Sequence, residues 1–249
     1  MVTPISSNPA LTEAGFKNVF RTCGRDDQQG ALVGRYLLDH FRGKKIAVAH
    51  DQSAWGRGIA DQVKATLNAG GVQEALFEAF TPGERDYSAF VSRLKQSGID
   101  VVFLGGYYTE VGLIVRQMNE QSAKMQIIGG DALMTNQFWA ITGSAAEGVL
   151  MSFGPDARKL PGTKTAMDAI RKGGYEPEGY TLYTYAAVQS VAEAIRRAGS
   201  ADPVKAADAL RQKPVTTVLG DIGFDAKGDR SGSTYVLYKW HNGSYAEVE

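Results

Sequence analysis

Asp131, Trp55, Tyr107 and Tyr180 are the side chains of this sequence whose types and positions suit recognition of a small charged molecule. Asp131 follows the apolar run Met125-Gln126-Ile127-Ile128 and the pair Gly129-Gly130. It therefore stands at the carboxyl end of an expected strand, where open α/β sheets hold their ligands. A carboxylate at such a point can pair with an ammonium group. Tyr107 follows a second run, Ile99 to Leu104, and a second pair, Gly105-Gly106. Tyr107, Trp55 and Tyr180 can supply aromatic walls, or a cation–π face for an amine. Ser7 and nearby backbone amides can bind a carboxylate. Together these groups would suit a small zwitterion. Each also has a structural reading: Asp131 as the N-cap of a helix over 132–135, Trp55 as loop packing, Tyr180 as core at a helix start.

The sequence offers little for catalysis. His40, His50 and His241 are its histidines, and no Gly-x-Ser-x-Gly elbow is present. Cys23 lies in a polar connection with no histidine beside it. Neither Cys-x-x-Cys nor His-x-x-x-His spacing occurs, so no metal site is expected. Gly56-Arg57-Gly58-Ile59-Ala60-Asp61 follows a strand and opens a helix, but a dinucleotide fingerprint needs glycine where Asp61 stands. A carboxylate there would also oppose a pyrophosphate. No cofactor and no enzymatic activity are expected; a nicotinamide-dependent oxidoreductase remains the enzymatic alternative.

Composition narrows the partners. Apolar residues make up 43% and charged residues 22% of the 249, an ordinary globular balance with a sizeable core. The 27 basic and 27 acidic residues cancel, which argues against electrostatic attraction to nucleic acid or an anionic membrane. No apolar run approaches the length of a spanning helix. One cysteine leaves no internal disulfide. The first residues, Met1-Val2-Thr3-Pro4-Ile5-Ser6, show no basic segment followed by an apolar stretch, so no secretory signal is expected in the sequence as it stands.

The elements that position these residues alternate from Lys44 onward. Strands are expected at 45–50, 72–80, 99–104, 125–128 and 148–153, and helices at 59–69, 87–97 and around 111–118 and 138–141, with 51–58 as a loop. That alternation predicts right-handed βαβ crossovers and an α/β fold with a parallel sheet. From 154 the pattern changes. Helices are expected at 163–172, 180–198 and 203–211, and no strand between 151 and 215. Strands return at 215–219, 222–224 and 234–240, with 225–229 as a hairpin turn joining the last two. The helices of 155–213 carry apolar faces, including Tyr185, Val188, Val191, Ile195 and Leu210, with no sheet of their own to cover.

Several segments resemble the periplasmic branched-chain amino-acid binding proteins of ABC transporters. They are Val2-Thr3-Pro4-Ile5-Ser6-Ser7-Asn8-Pro9-Ala10-Leu11-Thr12, Arg21-Thr22, His50-Asp51, Trp55-Gly56, Gly83-Glu84-Arg85-Asp86-Tyr87-Ser88 and Gly105-Gly106-Tyr107-Tyr108-Thr109-Glu110. Ala145-Ala146-Glu147-Gly148, Thr184-Tyr185-Ala186-Ala187-Val188-Gln189-Ser190 and Phe224-Asp225-Ala226-Lys227-Gly228-Asp229 match too, in collinear order over nearly the whole sequence.

The resemblance implies a periplasmic-binding-protein fold of two α/β lobes with a ligand cleft, no chemistry on the ligand, a periplasmic location and an ABC permease as partner. It implies that Ser7 holds the ligand carboxylate and amine, and that Ile5 contributes a backbone contact. Trp55, where a tyrosine is usual, would cover the ligand. Tyr107 would be the tyrosine of the Gly-Gly-Tyr motif, Asp131 would bind the α-amino group in place of glutamate, and Tyr180 would flank the pocket. Aspartate at 131 and tryptophan at 55 depart from the leucine-type pocket and are similar to binders of small amino acids or γ-aminobutyrate. The expected division is 1–22 with 154–220 as an incomplete, mostly helical first lobe, and 23–153 with 221–249 as a complete second lobe with helices on both sheet faces. A truncated member would lack groups that hold the ligand carboxylate, and a homodimer through the incomplete lobe is expected. A ligand-sensing regulatory module on the same fold is the alternative function.

Overall fold

The computed structural model describes residues 1–248. In chain order its elements are β1 (Val2–Thr3), α1 (Ala10–Glu13), β2 (Phe20–Arg21), α2 (Asp26–His40), β3 (Ile46–His50), α3 (Ala54–Ala69), β4 (Leu76–Ala79), α4 (Ser88–Gln96), β5 (Val101–Gly105) and α5 (Tyr108–Glu120). There follow β6 (Gln126–Gly129), α6 (Asn136–Thr142), β7 (Leu150–Phe153), α7 (Lys164–Lys172), α8 (Thr181–Ala198), α9 (Pro203–Gln212), β8 (Val215–Thr217), β9 (Gly220–Ile222), β10 (Val236–His241) and β11 (Ser244–Glu247). They form two compact units: Met1–Arg25 with Gly154–Thr234, and Asp26–Phe153 with the chain from Tyr235 onward. No helix among the described residues is long and apolar enough to cross a membrane.

The larger unit is the α/β body that the alternation predicted. Its seven-stranded sheet runs β11-β10-β7-β6-β5-β3-β4. β4, β3, β5, β6 and β7 are parallel neighbours, and β10 and β11 close one edge antiparallel. Successive residues of β5 are all buried, as befits a strand covered on both faces. On one face Val33 and Leu37 of α2, with Ile59, Val63 and Leu67 of α3, pack on Ile46, Val48, Val101, Phe103 and Ile128. The opposite parity, Val102 and Leu104, is equally buried, and α4 and α5 bring buried Phe90, Leu94, Ile114 and Met118.

Two expectations for this unit change. Residues 54–58 are helix rather than loop, because the Ser53 hydroxyl accepts from the Gly56 amide at 2.8 Å and caps α3 five residues earlier than the apolar spacing suggested. The closing hairpin joins β10 to β11, not 222–224 to 234–240. Its turn, Asn242-Gly243, has φ of 49° and 77°, the left-handed pair that matches strand twist.

The smaller unit holds a two-stranded parallel sheet, β1–β2, an antiparallel hairpin, β8–β9, and the helices α7, α8 and α9. Its core is small: Phe20, Ala194, Ala207, Leu210 and Val215. Leu210 is therefore covered within the unit. The outer face of α8 is not: Tyr185, Val191 and Ile195 are each 40% exposed and Val188 is 65% exposed.

Residues 221–234 belong to this unit, as do Cys23 to Arg25, contrary to the expected boundaries. The cause is electrostatic. Asp229 forms an ion pair with Arg21 Nε at 2.6 Å, and accepts from Arg25 Nη1 at 2.6 Å and from the Thr12 hydroxyl at 2.9 Å. The Arg21 amide adds a backbone bond to the Gly228 carbonyl at 2.9 Å. Arg21 is wholly buried, so these contacts hold the 225–229 turn to the start of the chain.

Candidate functional site

In the larger unit the carboxyl ends of β3, β5 and β6 bring Trp55, Tyr107 and Asp131 to one end of the sheet. Trp55 sits in the first turn of α3, directly after β3. Its position depends on close backbone approach. A Cβ on Gly56 would lie 2.2 Å from Asp51 Oδ1 and 2.5 Å from the Gly105 carbonyl oxygen, so only glycine lets the start of α3 rest on the end of β5. Gly56 is thus a packing residue. Asp51, buried, orders the same corner: its Oδ1 accepts from the Ser53 amide at 2.9 Å and hydroxyl at 2.6 Å.

Tyr107 stands at the N-cap of α5 with extended backbone. A Cβ on Gly106 would come within 2.7 Å of the Phe80 ring, which fixes how the chain turns out of β5. The Trp55 and Tyr107 rings then lie 5.1 Å apart, centroid to centroid, with planes inclined by 37°. Burial raises the Tyr107 phenol above its ordinary value, and the negative charges of Asp51, Asp131 and Asp26 raise it further. The hydroxyl therefore stays protonated at neutral pH, and the surroundings favour a cation.

Asp131 is 5% exposed and is the first residue of a short 3₁₀ turn, Asp131–Leu133, whose N-cap is Gly130, so it is not the N-cap of a helix over 132–135. Gly130, before it, lies against the Trp55 ring: a Cβ there would be 3.0 Å from the indole Cζ2. Asp26, wholly buried in the first turn of α2, adds a carboxylate where the helix N-terminus stabilises negative charge. Sequence reasoning missed Asp26, Gln29 and Asp51 as members of this neighbourhood. Asp51 carried a signal, a carboxylate at a strand end like Asp131; Asp26 and Gln29 carried none, since helix starts commonly hold such residues.

His50 is structural. Burial and then Arg57 lower its pKa, its ring lies 5.3 Å from that of Phe77, and its Nδ1 accepts from the Gln52 amide at 3.1 Å. Among the described residues no cluster of histidine, cysteine, aspartate and glutamate is arranged to hold a metal.

Ile5, Ser7 and Tyr180 lie in the smaller unit, so the six expected residues divide evenly between the units. Ser7 is 2% exposed and its hydroxyl has no hydrogen-bond partner among the described residues. Arg21 Nη1 bonds the carbonyls on either side of it, Ser6 at 2.8 Å and Asn8 at 3.1 Å, which holds the turn rigid. Ile5 is 54% exposed, its amide reaching Thr3 Oγ1 at 3.4 Å. Tyr180 precedes α8, its ring 5.5 Å from Tyr183 and nearly perpendicular.

Comparison with known proteins fits this architecture. The model of the periplasmic binding protein family matches residues 1–244. A Leu/Ile/Val-binding protein homolog 1 from Brucella melitensis is 49% identical over 244 residues, 98% of this chain and 66% of the relative. An amino acid binding protein from Pseudomonas aeruginosa is 45% identical, over 99% of this chain and 67% of its own length. The chain thus spans just under two thirds of the Brucella relative. Among solved structures, the leucine binding protein LivK from Thermotoga maritima superposes with a TM-score of 0.89 at 28% identity, over all of this chain and 72% of LivK.

The chain belongs to the periplasmic binding protein family, whose members bind solutes rather than transform them. Within it, the chain is similar to the branched-chain amino-acid binding proteins.

Proposed function

We propose that this chain is the solute-binding component of an amino-acid ABC transporter, working in the periplasm and delivering its ligand to a permease. The observation that carries the reading is a buried carboxylate, Asp131, at a strand end beside the Trp55–Tyr107 ring pair. That combination seats an ammonium group: charge from Asp131, quadrupoles from two rings, and additional negative potential from Asp26 and Asp51. The relatives are named for leucine, isoleucine and valine binding, which supports an amino acid as the ligand class. Within that class a small amino acid or γ-aminobutyrate is the better fit. Asp131 reaches one methylene less far than glutamate would, and Trp55 fills more of the space above the ligand than tyrosine. Within the smaller unit, Ser7 Oγ, buried and without a hydrogen-bond partner among the described residues, is suited to a carboxylate, with Ile5 as a backbone contact and Tyr180 as a flanking ring. The protein also forms a homodimer that covers the exposed apolar face of α8.

Titration calorimetry of the purified chain against L-alanine, L-threonine, L-valine, L-leucine and γ-aminobutyrate tests the ligand class. Binding of at least one amino acid, with the smaller ones preferred, is the expected result. Absence of binding across the panel would overturn the reading.

A further inference from the structure

Gln29 is wholly buried in the first turn of α2, yet among the described residues neither its Oε1 nor its Nε2 has a hydrogen-bond partner. Its place is specific. The point where a Cβ would sit on Gly130 is 3.1 Å from Gln29 Oε1 and 3.0 Å from the Trp55 ring. Gln29, the Trp55 indole and the peptide before Asp131 therefore share one niche, and the missing side chain at Gly130 is what lets them approach.

A buried amide with both ends unpaired gives up its bonds to water and gains none. Methionine fills nearly the same volume without that loss. Buried polar groups are almost always paired, so this one is accounted for if its partner arrives with the ligand. An amide offers a donor and an acceptor, and it distinguishes a ligand bearing a hydroxyl or amide from one of the same shape bearing a methyl. Discrimination of this kind is strong, because the wrong ligand leaves the amide unpaired.

We propose that Gln29 is a specificity-determining residue of the Trp55–Tyr107–Asp131 site, pairing with a hydrogen-bonding group on the ligand once the Trp55 indole swings off Gly130. The proposal rests on the amino-acid reading above and narrows it: amino acids with a polar side chain are favoured over branched aliphatic ones.

L-threonine and L-valine, equal in shape, are the probes. Calorimetry on the wild-type chain should show threonine binding more tightly than valine. Gln29→Met should weaken threonine by about tenfold and leave valine unchanged or tighter. Its melting temperature without ligand should be no lower than that of wild type. Gln29→Asn, which keeps an amide, should retain part of the preference. Equal loss for both ligands, or a lower melting temperature with an unchanged threonine-to-valine ratio, would assign Gln29 a structural role and overturn the proposal. A wild type that prefers valine overturns it whether or not the variants fold, while leaving the amino-acid reading intact. A wild type that binds no amino acid overturns both.

Discussion

The indole of Trp55 and the phenol ring of Tyr107 lie 5.1 Å apart although Trp55 lies in the first turn of α3, after β3, and Tyr107 is the N-cap of α5, after β5. Their meeting depends on Gly56 and Gly105, whose backbones touch where a side chain on either would intrude. Trp55→Ala should therefore remove a wall of the site without unfolding the unit. An affinity loss of about 0.5–2 kcal/mol is expected from the cation–π contribution, read by calorimetry, with circular dichroism unchanged. Tyr107→Phe, which keeps the ring, should cost less than Tyr107→Ala.

Asp131→Ala should cost about 1.5–3 kcal/mol of ligand affinity, the range for a hydrogen bond to a charged group. Asp131→Asn tests charge against shape, and should lose most of the same energy. Unchanged affinity in both variants would remove Asp131 from the binding residues.

Asp229 ties both ends of the smaller unit together, and its titration should be visible in stability. Burial pushes its carboxyl up, but Arg25, Thr12 and Arg21 outweigh this and hold it below the ordinary aspartate value. A depressed folded-state pKa contributes stability that is complete above the unfolded value, about pH 4, and is lost as pH falls through the folded one. Urea unfolding of the smaller unit should weaken below about pH 4 in wild type. Asp229→Asn should flatten this dependence. Asp229→Ala, leaving buried Arg21 uncompensated, should destabilise the unit by about 3–5 kcal/mol.

Hydrogen exchange should find the slowest amides in β5, whose residues are all buried between parallel neighbours. Fast exchange across Val101–Leu104 would contradict the assignment of the larger unit's core.

The outer face of α8 should drive association. Tyr185, Val188, Val191 and Ile195 form an exposed apolar stripe of a kind soluble monomers seldom leave bare. Light scattering at micromolar concentration should give a dimer mass, and Val188→Glu with Ile195→Glu should convert it to monomer. A clean monomer in the wild type would reject the homodimer.

Much of the larger unit was legible because its signals are local. The runs before Gly105-Gly106 and Gly129-Gly130 have the length and β-branched content of buried strands, and each ends where the chain must turn sharply. Those breaks marked Tyr107 and Asp131. The start of α3 was not legible from apolar spacing, because Ser53 rather than an apolar residue fixes it. Asn242-Gly243 was a local signal too, and it marks the hairpin between β10 and β11.

What the sequence by itself determined is the strand-and-helix alternation of the larger unit and the placing of aromatic and acidic residues at strand ends. These depend on residues close together in the chain. What only the tertiary structure decided is which distant residues meet. Asp229 joins Arg21 and Arg25 across some two hundred residues, moving 221–234 into the unit of the N-terminus. Gln29 and Asp26 join the neighbourhood of Trp55 and Asp131 because α2 packs beside α3 over the same sheet face. A polar residue at a helix start looks the same whether it caps that helix or lines a site. Only packing, which decides which carboxylates and amides lose their water together, tells the two apart.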